Sequence, residues 1–132
     1  MDAAIRNTVR QRAGERCEYC HLPQEYSEMI HHIEHIVARQ HGGGDDPDNL
    51  ALACQRCNLH KGPNLTGIDP ATGQVVSLFH PRCDSWTEHF VFEGVRIRGT
   101  TATGRATVQV LALNDARRVE VRKEAAKHGG RF

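Results

Sequence analysis

Apolar residues recur at Ile5, Val9 and Ala13 among arginines and small polar residues, the spacing of a helix that buries one face, and this pattern predicts a helix over residues 3–16 with Gly14 near its end. An Ile- and His-rich run from Met29 to Val37 predicts a strand, and Leu50 to Ala53 predicts a second. Between them, His41 to Asn49 concentrates Gly, Pro, Asp and Asn, residues that favour turns and break both regular periods, so an irregular loop is expected there. Asn58 to Lys61 opens a short helix that Gly62 and Pro63 stop. The order is strand, loop, strand, helix.

Beyond Asn64, a turn at 69–73, extended segments at 75–79 and 90–98 with a bend at Gly94, a helix over 103–113 and a charged segment from Asp115 to Lys127 are predicted. The fold class is therefore α+β. Residues 1–66 form a small core with its N-terminal helix, and 67–132 a β/α extension packed on that core, not an independent domain. The 132 residues fit one domain.

Net charge is only +1, but it is segregated: residues 1–16 carry +2, 17–50 carry −6, 51–95 carry −1 and 96–132 carry +6. Basic flanks around an acidic centre suit a protein that grips phosphates while central carboxylates hold a cation, and equally suit charged helices kept in solution. No apolar run is long enough to span a bilayer, and residues 1–16 lack a signal-peptide core, so a cytoplasmic protein with no membrane partner is expected.

Four of the five cysteines form two Cys-x-x-Cys pairs, Cys17/Cys20 and Cys54/Cys57, separated by 33 residues. Four thiolates complete a tetrahedral zinc shell and leave no position for water, so the expected zinc is structural. A thiol redox protein is disfavoured, because neither pair lies in a βαβ context. Cys83 stands alone and reads as a small buried hydrophobe; Trp86, Phe90 and Phe92 read as a minor core. Histidines 21, 41, 60, 80, 89 and 128 read mostly as surface residues.

The clip encloses His32-Ile-Glu34-His35-Ile36, Gly42-Gly43-Gly44 and Asp48-Asn49-Leu50, and is followed by Asn58-Leu-His-Lys61. In order and spacing, residues 17–63 resemble the HNH endonucleases, also called ββα-metal or His-Me finger nucleases. The resemblance implies that His35 is the general base toward a scissile phosphate, a task suited to imidazole near neutral pH. It also implies that Glu34 and Asn58 hold one catalytic Mg²⁺ or Mn²⁺ through hard oxygen atoms, and that Asn49 orients the base. Lys61, three residues after Asn58, is expected to reach a phosphate oxygen. The family more often has Asp at the position of Glu34 and His at that of Asn58.

Adjacent residues on a regular strand point to opposite faces, so Glu34 and His35 converge only if the strand bends or ends there, and His31 or His32 competes for either role. The expected function is hydrolysis of DNA phosphodiester bonds; the alternative is a zinc-dependent nucleic-acid-binding module without catalysis. A monomer and a homodimer are both compatible with the sequence.

Overall fold

A computed structural model describes residues 1–132. Helix α1 spans Ala3–Arg12, capped by the Asp2 carboxylate, which accepts from the Ile5 amide at 2.9 Å. It ends four residues before the predicted limit, because Gly14 and Glu15 both take positive φ and turn the chain into the first knuckle.

Strands β1 (His32–His35) and β2 (Leu50–Ala53) form an antiparallel hairpin, and α2 (Gln55–Lys61) follows directly. The predicted strand from Met29 shortens to four residues. His31 lies before it, buried, with its amide accepted by Gln24 Oε1 and its Nε2 bonded to the Leu22 carbonyl at 2.9 Å. Helix α2 begins three residues earlier than predicted, since the Cys54 sulfur accepts the Cys57 amide at 3.5 Å and makes the second knuckle the N-cap.

All four β2 residues are buried because both hairpin faces are covered. Leu50 and Leu52 pack with Val9 of α1 and with Ile33, whereas Ala51 and Ala53 join the cysteines on the other face.

The C-terminal half supplies two further hairpins, β3 (Thr66–Ile68) with β4 (Val75–Ser77) and β5 (Phe90–Glu93) with β6 (Arg96–Gly99), the latter turning at Gly94 as expected. It also supplies a one-turn helix α3 (Trp86–His89), α4 (Ala102–Val110) and α5 (Ala116–Lys127). The strand β3 and the helix α3 lack a pattern long enough to predict. One core runs through both halves: Tyr19, Ile36, Ala51 and the four cysteines pack with Phe79, Phe90, Ile97, Leu111 and Leu113. Trp86 donates its indole N–H to the Tyr19 carbonyl at 2.9 Å, and Arg82 pairs with Glu18, whose carboxylate accepts the Leu52 amide. No helix is long and apolar enough to cross a membrane.

Two minor expectations are corrected. Cys83 is exposed. His21 is half-buried, its ring stacked on Trp86 with centroids 4.1 Å apart.

Candidate active site and metal centre

The two knuckles bring Cys17, Cys20, Cys54 and Cys57 together, buried, with their sulfur atoms all within 4.8 Å of one another. The Cys20 and Cys54 sulfurs are 3.7 Å apart. A tetrahedron with Zn–S bonds near 2.3 Å has edges of about 3.8 Å, so the cage matches zinc in size as well as in donor chemistry. The amides of Cys20 and Cys57 point at the sulfurs of Cys17 and Cys54, each at 3.5 Å, as the tight turn of Cys-x-x-Cys dictates.

On the hairpin, pairing continues without a bend through Glu34↔Ala51 and His35↔Leu50. Successive side chains therefore leave on opposite faces. Glu34 points toward α2 and is buried. One carboxylate oxygen accepts from the Tyr19 hydroxyl and lies 3.9 Å from Lys61 Nζ; the other is buried with no hydrogen-bond partner. Burial pushes the Glu34 carboxyl up to about 7, against the opposing pull of Lys61 and of the Tyr19 hydrogen bond. Asn58 sits on α2 one turn before Lys61, half-buried.

The expected phosphate contact of Lys61 is not what its position serves. Lys61 is only 2% exposed, and its ammonium group donates to the Ile36 carbonyl at 2.8 Å while facing Glu34. A helix that packs on the hairpin turns this lysine inward, where it acts as counter-charge to Glu34.

His35 ends β1 on the other face. Its Nε2 lies 2.7 Å from Asp45 Oδ1, and Asp45 also accepts from Arg39 at 2.9 Å. The hydrogen bond from His35 foremost, with the positive charge of Arg39, holds the Asp45 carboxyl below the usual carboxylate range. An ionised carboxylate only accepts, so it fixes the imidazole proton on Nε2 and leaves the Nδ1 lone pair without a partner in the protein. His31, buried and bonded to Leu22, is not placed beside either candidate, and its Nδ1 finds no partner. His32 is exposed on the Glu34 face.

Asn49 holds the loop between the strands. Its Oδ1 accepts the Val37 amide at 2.9 Å, and its Nδ2 donates to the carbonyls of Val37 at 3.0 Å and Gly44 at 2.9 Å. This bridge has room only because residue 43 lacks a side chain: a Cβ there would lie 1.7 Å from the Val37 carbonyl oxygen. Arg12 braces the same loop from α1, donating to the carbonyls of Pro47 at 3.0 Å and Leu50 at 2.7 Å.

Asp45 and Tyr19 were not singled out from the sequence. The one available signal for Asp45 was a carboxylate in the Gly-rich loop ten residues after His35; Tyr19 had none beyond its place inside a knuckle.

Residues 17–64 match the family model described as HNH endonuclease. The chain is also 23% identical over 122 residues to the Septu protein PtuB of Bacillus thuringiensis, a match covering 87% of this chain and 43% of that relative. No solved structure matches. With its strand–loop–strand–helix order and its four-cysteine cluster, the segment 17–64 is similar to the HNH endonucleases.

Proposed function

We propose that this chain is a divalent-metal-dependent endonuclease that hydrolyses DNA phosphodiester bonds. The observation that carries the reading is the His35–Asp45 pair at 2.7 Å, which presents a ring nitrogen with a free lone pair at the end of β1. In this role His35 Nδ1 takes the proton from the attacking water, and the resulting imidazolium is stabilised by the Asp45 carboxylate on its other nitrogen. Asn49 keeps the loop closed and so holds Asp45 in register with His35.

On this reading the unpartnered oxygen of Glu34 and the side-chain amide oxygen of Asn58, on the adjacent helix, would hold a hard cation, Mg²⁺ or Mn²⁺. Bound there, the ion would supply charge stabilisation to the phosphoryl oxygens and the leaving oxygen. Exposed cations of the basic flanks, Arg6, Arg96 and Arg117 among them, would supply sequence-independent phosphate contacts. Glu34 and His35 leave the strand on opposite faces, so on this reading the phosphate lies across the end of β1, with the cation side toward α2 and the base side toward the Gly-rich loop.

The test is plasmid nicking by the zinc-loaded protein with Mg²⁺, with Mn²⁺ and with neither, beside His35→Ala. Divalent-dependent relaxation of supercoiled DNA that vanishes in the variant is expected. DNA binding without cleavage under either cation would instead establish the non-catalytic zinc-dependent module.

A further inference from the structure

The four cysteines are contacted by a residue from the far end of the chain. Arg118, in the first turn of α5, is 6% exposed; one terminal nitrogen lies 2.8 Å from the Cys57 sulfur and 3.7 Å from the Cys54 sulfur. Its other terminal nitrogen donates to the carbonyls of Leu111 at 2.5 Å and Ala112 at 3.3 Å, at the C-terminal end of α4. No carboxylate pairs with this guanidinium. One helical turn on, Arg122 is 2% exposed and bonds only to oxygens of Val95, Leu113 and Asn114.

A buried cation without a counter-charge is costly, so buried arginines are paired. Asp115 accepts the Arg118 backbone amide at 3.2 Å, but the groups that can carry negative charge and touch the guanidinium itself are the sulfurs. Four thiolates around one Zn²⁺ leave an excess of two negative charges, and two buried guanidiniums on α5 balance them. The compensation runs both ways: Arg118 stabilises the thiolates that hold the ion, and the charged cage is what makes burial of Arg118 tolerable.

We propose that Arg118 is a positioning and charge-compensating residue of the zinc site, and that it links zinc occupancy to the docking of the C-terminal helix. When zinc leaves, the sulfurs are no longer held in one cage, the N–H···S contacts that tie Arg118 to Cys57 and Cys54 are lost, and α5 loosens from the core. Residues 116–127 thereby report whether the metal site is filled.

The test uses the full zinc-loaded chain, Arg118→Met and Arg118→Lys, and does not depend on nuclease activity. Competition against a chromophoric chelator reads zinc retention, the sulfur-to-metal charge-transfer band of the Co²⁺-substituted protein reads the N–H···S contact, and hydrogen exchange reads residues 116–127. Loss of a group that supports metal ligands typically weakens binding by about 10- to 100-fold, and a loss in that range is expected for Arg118→Met, with Arg118→Lys between it and the native chain. The charge-transfer band should shift, and α5 in zinc-loaded Arg118→Met should exchange faster while β1 and β2 stay protected. Native-like zinc retention and an unmoved band in Arg118→Met would overturn the proposal and leave Arg118 only as a cap on α4. If Arg118→Met does not fold, Arg118→Lys, which keeps the charge but not the planar fork, decides by the same two readouts: native values refute.

Discussion

Asn49→Ala tests whether the loop between β1 and β2 is held by the side chain that gives the family motif its middle letter. The substitution removes three hydrogen bonds, two to Val37 and one to Gly44. Each is worth about 1 kcal/mol net, and the exposed Gly44 bond less, so a loss of about 2–3 kcal/mol is expected. For a chain of this length that corresponds to a fall in Tm of roughly 10 °C. Asn49→Asp sharpens the test: it keeps the acceptor for the Val37 amide but sets carboxylate oxygens against two carbonyls, so it should be no more stable than the alanine variant. Urea unfolding of the zinc-loaded protein gives the stability, and plasmid nicking gives the activity. Because the same loop carries Asp45, cleavage should fall in proportion to the loss of His35 orientation even at temperatures where the variant stays folded. An Asn49→Ala protein within about 0.5 kcal/mol of the native chain would refute the energetic argument. A destabilised variant with undiminished cleavage would refute the link from Asn49 to the base.

Glu34→Gln should flatten a specific part of the pH dependence of stability. The folded carboxyl titrates at about 7 against an ordinary 4.5, so the folded state binds the proton more tightly and stability is lost as pH rises between those values. With no added Mg²⁺ or Mn²⁺, the stability of Glu34→Gln relative to the native chain should rise by up to about 3 kcal/mol from pH 4.5 to pH 8; a difference independent of pH would refute the burial argument, and the low-pH baseline absorbs the effect on Lys61. Gly43→Ala should disrupt the Asn49 bridge through the 1.7 Å clash with Val37 and unfold the loop, seen as faster hydrogen exchange across residues 37–49. Asp45→Ala should lower kcat far more than KM and release the His35 tautomer, read by imidazole ¹⁵N shifts; an unchanged Nε2–H tautomer would show that the carboxylate does not set it.

The sequence alone determined what rests on short-range chemistry. Two Cys-x-x-Cys pairs close their own knuckles through N–H···S bonds, Gly and Pro place the loop and the helix stop, a short apolar run locates β2, and apolar residues at helical spacing locate α1 and α4. The order and spacing of His35, Asn49 and Asn58 are legible through their resemblance to the HNH motif. What only the tertiary structure decided is where polar side chains go once the elements pack. Lys61 turns inward because α2 lies against the hairpin, which makes it the partner of a buried Glu34 instead of a surface cation. Asp45 reaches His35 because Asn49 folds the Gly-rich loop back over Val37. Arg118, 61 residues from Cys57 along the chain, reads as one more charge in a basic segment until α5 docks. Side-chain burial and pairing depend on contacts between residues distant along the chain, and local pattern carries no record of those contacts.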